Sequence, residues 1–282
     1  MAIVRSPTQR AWSVARYAGL GVASALFLIP FYLLVRNAFM SDTDLTAPDW
    51  YWLPPHWQWS NVTGVFDDPA VPMARALANS VAISVVQTIG VLVLSGLAGY
   101  GLARIPYRWS NAVFYTITAT LLIPAAVTFV PSFVLVSTLG WISTLRGLII
   151  PGLFQALATF LFRQFFLSFP KEIEEAAFLD GLGYWGTFWR IVVPNSGGFV
   201  AAIGTITFIG SWNAFLWPLV IGRDPSSWTV QIALSTYLTA QRVDLAQLFM
   251  AALIAILPLL LMFLFLQRWI VEGVERTGIA GD

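Results

Sequence analysis

Six apolar blocks, at roughly 17–35, 79–102, 111–136, 141–162, 198–221 and 245–270, dominate this chain of 282 residues. A bilayer hydrocarbon core of about 30 Å needs about 20 such residues in a helix. In lipid, only helices and closed barrels satisfy every backbone hydrogen bond. Blocks of this length therefore predict an all-α membrane protein with six transmembrane helices. Composition agrees: 58% of residues are hydrophobic and 10% charged, where a soluble domain carries roughly a quarter.

Several function classes drop out at once. There is no cysteine, which removes disulfides, thiolate metal sites and cysteine nucleophiles. Net charge is +1 and no basic cluster points to nucleic acid. The first block follows Arg5, Arg10 and Arg16 as a signal peptide would. Its length and the spans that follow mark it instead as a retained first helix.

The connections are uneven. Residues 38–78 form a long polar loop with Trp50, Trp52, Trp57 and Trp59, and its prolines and turn formers predict irregular chain and short helices. Arginine and lysine placement sets the orientation. One side would carry Arg5, Arg10, Arg16, Arg104, Arg108, Arg163, Lys171, Arg190, Arg268 and Arg276; the other would carry Arg36, Arg75, Arg146, Arg223 and Arg242. The richer side reads as cytoplasmic, with both termini inside and 38–78 outside.

Segment 168–197 then falls in the cytoplasm, and it is acidic. Glu172, Glu174, Glu175 and Asp180 follow the only lysine, Lys171. Pro170 suits a helix start, Ser168 is placed to cap it, and the first glutamates complement the helix dipole. Ile173, Ala176 and Ala177 share a flat face, and Gly181 and Gly183 supply positive-φ freedom at its end. A second short helix is expected from Tyr184 to Ile191, closed by Pro194 and Gly197-Gly198. One reading is a connector resting on lipid. A negative segment is repelled by the anionic inner leaflet, however, and that favours a protein partner.

Glu175-Ala176-Ala177, Asp180-Gly181, Ile191 and Pro194 together resemble the EAA loop of ATP-binding-cassette importer permeases. "ANSVAISVVQTIGVLVLSGLAGYGLARIPY", "SWNAFLWPLVI" and "QRWIVEGVERTGIAGD" are similar to segments of the carbohydrate-importer branch, maltose-type second permease. The resemblance spans nearly the whole chain. It implies the type I importer permease fold in one transmembrane domain, 1–282, in a bacterial inner membrane. It also implies that Glu174, Glu175, Ala176, Ala177, Asp180, Gly181, Gly183, Ile191 and Pro194 belong to a loop that docks on an ATPase. The implied partners are a second homologous permease, two ATP-binding subunits, an extracytoplasmic solute-binding protein and a small polar solute. No cofactor is expected on this chain. The partner ATPase would use ATP and magnesium, since a P-loop needs Gly-Lys-Ser/Thr and Lys171 lies between Pro170 and Glu172.

Within the spans, two readings stand side by side. Trp212, Asn213 and Trp217 either line a sugar path or pack helices together. Gln87 and Gln155 lean towards interhelical bonding. Ser95 and Gly99 form a small-xxx-small pair suited to close helix packing. Pro124, Pro131, Pro218 and Pro258 mark kinks. No metal site is expected. The rival function is an ion-coupled secondary transporter, which typically uses ionisable groups inside spans; all fourteen acidic residues fall in loops, tails or span ends.

Overall fold

The computed structural model describes residues 7–239 and 243–278, with side chains described between 12 and 267 apart from 14 and 240–242. Arg5, Arg242 and the end of the tail, 279–282, lie outside the described residues, as do the side chains of Arg10, Arg268 and Arg276. The described elements are helical, apart from one isolated bridge between Leu238 and Val243.

Four helical stretches are long and apolar enough to cross a membrane: Ala15–Ala38, Met73–Arg104, Leu145–Ser168 and Leu245–Gln267. Two bent pairs, Ser110–Leu122 with Ala125–Thr138 (100°) and Tyr184–Asn195 with Gly197–Trp212 (82°), raise the number to six if each counts as one span. Residues 7–68 with 236–239 and 243–256 make one compact unit, and 69–235 with 257–278 make another.

In the first unit, α1 (Pro7–Ala38) leads into the tryptophan-rich loop with its short helices α2 (Asp42–Thr46) and α3 (Ser60–Asp67). The loop is stapled back to α1 by buried Asn61, whose Nδ2 donates to the carbonyls of Ala38 and Met40, each at 2.9 Å. Arg36 lies over the Trp50 ring at 4.2 Å, and Phe39 packs edge-on against Trp59. Trp50, Trp52, Trp57 and Trp59 are all exposed.

The second unit is built around α4 (Met73–Arg104). No proline interrupts its 32 residues, and Pro106 ends it because the residue before a proline is pushed out of the helical region. The chain continues through α5 (Ser110–Ala119), α6 (Ala125–Thr138), α7 (Leu145–Ile149) and α8 (Ala156–Ser168). There follow α9 (Lys171–Leu179), α10 (Tyr184–Thr187), α11 (Val193–Asn195), α12 (Gly197–Trp212), α13 (Leu216–Ile221) and α14 (Val230–Ser235). Finally α15 (Leu245–Gly278) starts in the first unit and ends in the second.

α4 packs chiefly on α8 and α12. Ser95 and Gly99 lie in the α4–α8 contact. The Ser95 hydroxyl donates to the Gln155 carbonyl at 3.2 Å, and a Cβ on Gly99 would stand 2.6 Å from Phe162 Cβ. Val91, Tyr100, Phe162, Phe166, Phe188 and Ile203 fill the core beside them.

Two expected spans are broken. Block 111–136 bends by 100° between α5 with its following 3-10 turn and α6. Ile123 sits at φ −83°, ψ 116° because Pro124 follows it. Block 198–221 stops at Asn213 and restarts at Leu216. There Pro218 lacks the N–H that would bond one turn back and its ring crowds that carbonyl.

Candidate transport site

The continuous helix α4 and three interrupted stretches border a cavity of about 510 Å³ in the second unit. This lies within the roughly 300–1,000 Å³ usual for small-molecule sites. α4 contributes Gln87; α6 contributes Thr128, Phe129 and Ser132; the stretch after α7 contributes Pro151, Gly152 and Gln155; and α12 contributes Thr207 and Ser211. Trp217 of α13 closes it, edge-on to Phe129 with ring centres 5.7 Å apart.

The polar groups divide by whether they are already engaged. Gln87 Nε2 donates to the carbonyls of Leu148 (2.9 Å) and Ile149 (3.2 Å), and its Oε1 accepts from the Ser211 hydroxyl at 2.7 Å. Gly152 permits this, since a Cβ there would stand 2.4 Å from Gln87 Nε2. The Trp217 indole N–H donates to the Gly147 carbonyl at 3.1 Å, leaving its ring for stacking. The Gln155 amide is exposed and bonds no described group, although its backbone is held by Ser95. Engaged groups shape the wall, and the Gln155 amide is left facing outward from it.

Of the five expected pathway residues, Gln87, Gln155 and Trp217 border this cavity and Trp212 and Asn213 do not. Trp212 is buried and stacks on Phe208, and Asn213 Oδ1 accepts from Gln231 Nε2 at 3.3 Å at the helix break. Sequence reasoning passed over Thr128 with Ser132 and Thr207 with Ser211. Each pair is four residues apart and so on one helix face, a hydroxyl stripe in otherwise apolar spans.

The acidic segment forms a second site. Pro170 is the N-cap of α9, and the Ser168 hydroxyl does not cap it, donating instead to the Phe165 carbonyl at 2.8 Å. α9 ends in a Schellman turn, with Leu182 N–H on the Ala177 carbonyl and Gly181 N–H on that of Phe178, both at 3.0 Å. Gly181 has φ +83°, whereas Gly183 is extended at φ −85° and starts the next helix. That helix widens to a π turn over Phe188–Val192 and continues through Pro194. Pro194 cannot donate one turn back, and the wider turn absorbs the mismatch.

Glu174 and Ala177 face inwards, while Glu175, Ala176, Asp180, Gly181, Gly183 and Pro194 are exposed and Ile191 is half-buried. Glu174 Oε2 lies 3.2 Å from Arg104 Nε, with both side chains 6% exposed. Arg104 also donates to the Phe169 carbonyl. The Tyr100 hydroxyl points at the same carboxylate without closing a hydrogen bond of ordinary geometry. Burial pushes the Glu174 carboxyl above its usual range, and Arg104 and then Tyr100 pull it back. On the outer side, Glu172, Ile173, Ala176, Asp180, Leu182 and Ile191 border a groove of about 450 Å³, and Leu179 projects beside it, 90% exposed.

A helical membrane subunit with broken spans around an uncharged cavity, and an acidic amphipathic connector outside the spans, defines a permease-type protein. The family model "Binding-protein-dependent transport system inner membrane component" matches residues 92–276. The chain belongs to this family, and is a multi-pass inner-membrane component of a binding-protein-dependent transport system. It is 31% identical over 255 residues to the sn-glycerol-3-phosphate transport system permease protein UgpE of Yersinia enterocolitica, covering 88% of this chain and 91% of that one. It is 34% identical over 203 residues to the arabinooligosaccharides transport system permease protein AraQ of Halalkalibacterium halodurans (72% and 73% covered). It is 28% identical over 280 residues to the diacetylchitobiose uptake system permease protein NgcG of Streptomyces coelicolor (98% and 92% covered). The fold also matches a chain of a bacterial ABC transporter involved in the import of the acidic polysaccharide alginate, at TM-score 0.80 and 20% identity, covering 95% of this chain and 99% of that one.

Proposed function

We propose that this chain is one of two homologous membrane subunits of an ATP-driven importer for a sugar or related polar solute. Both termini and segment 168–197 lie in the cytoplasm, and the 38–78 loop faces outward towards the solute-binding protein. α9 docks on one of two ATPase subunits, which bind the ATP and magnesium; this chain is not itself an enzyme. The observation that carries the reading is the outer groove of α9: small alanines leave room for an apolar knob, and Glu172 and Asp180 flank it for basic or N–H partners. ATP drives such a two-state switch only by binding one state better than the other.

Relatives named for arabinooligosaccharides, diacetylchitobiose and glycerol 3-phosphate support a hydroxyl-rich solute. The cavity suits one too, pairing hydroxyl and amide groups with the Trp217 ring. The test is uptake into vesicles carrying the complex with its binding protein. Uptake should require internal ATP, and reversing exposed Glu175 to Lys should abolish it while the chain still inserts. Uptake that persists without ATP would instead establish ion-coupled transport. Deleting residues 50–59 should impair delivery from the binding protein.

A further inference from the structure

The glutamates Glu174 and Glu175 are neighbours in sequence, yet on a helix they point about 100° apart and meet different surroundings. Glu175 is exposed, and Glu174 is buried against Arg104. Arg104 is the last residue of α4, and its guanidinium engages both the first turn of α9 and the Phe169 carbonyl just before it. One side chain thus holds the α8–α9 turn and α9 to the end of α4.

The other link lies further along the same helix. Gln87 is 17 residues before Arg104, about 26 Å away along a helix axis, with no proline between them. It holds the carbonyls of Leu148 and Ile149 and the hydroxyl of Ser211 at the cavity wall. Between these two points Gly99 and Ser95 keep α4 in close contact with α8.

We propose that the Arg104–Glu174 pair is a positioning strut that makes α9 and α4 move as one body, so that displacement of α9 reaches the cavity at Gln87. This rests on the docking role proposed for segment 168–197. Sliding α9 along α4 would strand both charges where water is excluded, a penalty that an apolar contact of equal area does not impose. The two glutamates accordingly divide the work, with Glu175 meeting the partner and Glu174 passing the motion inward.

The test uses the complete reconstituted transporter with its binding protein. It compares Arg104→Met, Glu174→Met, the double variant, and the exchanged pair Arg104→Glu with Glu174→Arg. Each complex is assayed for thermal stability, ATP hydrolysis and solute taken up per ATP. The single variants should lose stability, because each leaves one buried charge alone. The double variant should regain it, since no charge is left and methionine fills the space. Its uptake per ATP should nonetheless fall at least about fivefold, the lower end of typical coupling factors, and the exchanged pair should restore coupling. A stable double variant with wild-type uptake per ATP overturns the strut. If the double variant does not assemble, an exchanged pair that assembles without regaining coupling overturns it equally. Glu175→Lys separates the two proposals. If it uncouples while the methionine pair does not, only the strut fails; if it leaves coupling intact, the docking role itself fails.

Discussion

Alanine at Gly99 tests the packing on which the second unit depends. A Cβ there would lie 2.6 Å from Phe162 Cβ, 2.9 Å from the Arg163 backbone nitrogen and 3.1 Å from the Phe162 carbonyl carbon. Carbon contacts are comfortable at about 3.5–4.0 Å, so α4 and α8 would have to separate by about 1 Å. Two of the three contacts are backbone atoms, which no rotamer change can move aside. Overpacking of this kind costs about 1–3 kcal/mol. One turn away, the Ser95–Gln155 bond already stands at 3.2 Å, and losing it adds about 1 kcal/mol. Alanine's better helix propensity returns about 0.5–1 kcal/mol, leaving a net cost of about 1–3.5 kcal/mol. Gly101 is the control on the same helix: a Cβ there meets nothing within 4 Å, so Gly101→Ala should be neutral or slightly stabilising. Unfolding of the assembled complex, followed by tryptophan fluorescence, measures both. If Gly99→Ala is as stable as Gly101→Ala, the close approach of α4 and α8 is wrong.

Three other outcomes follow from the site geometry. Gly181→Ala forces a side chain into the left-handed region at φ +83° and should cost about 1–2 kcal/mol, while Gly183→Ala, at φ −85°, should be near neutral in the same unfolding assay. Gln87→Leu strands two carbonyls and a hydroxyl and should destabilise by about 2–4 kcal/mol; Gln155→Leu should leave unfolding unchanged and raise the KM for uptake. Arg104→Gln removes the main influence pulling the raised Glu174 carboxyl down. A group whose folded pKa is raised contributes stability below its unfolded pKa and loses it as pH rises through the folded value. The stability gap between variant and wild type should therefore be wide at neutral pH and narrow on acidification; a gap that stays constant from about pH 8 to pH 5 would refute this.

What the sequence discloses here depends on how local the cause is. The continuous helix of α4 follows from an apolar run without proline, and the small pair Ser95 and Gly99 identifies its contact face. Pro124 and Pro218 announce disturbance, but a proline alone does not distinguish a kink from a break of 100°. That depends on what the freed backbone packs against. The hydroxyl pairs Thr128/Ser132 and Thr207/Ser211 were legible as helix-face stripes, though their meeting in one cavity requires the tertiary arrangement. Trp212 and Asn213 illustrate the converse: close to Trp217 in the chain, they turn to other partners, Trp212 stacking on Phe208 and Asn213 accepting from Gln231, and neither borders the cavity. The inward turn of Glu174 was hidden because its partner lies 70 residues earlier, at the far end of another helix. Helical spacing gives the faces of α9 but not which of them is covered.

The division of labour in the cavity wall bears on how such subunits diversify. Gln87 and Gly152 fasten the frame with bonds internal to the chain, and the breaks at Pro124 and Asn213 are set by backbone constraints. The open positions, by contrast, are the short side chain of Ser132 and the Gln155 amide. Exchanging one of these for a neighbour of similar size alters what the wall offers a passing molecule and leaves the frame's own fastenings intact. If the cavity is the solute path proposed above, a lineage could drift from one cargo to another by a few replacements at these positions with the frame's bonds kept. Selection on diet and selection on assembly act on separate sets of residues.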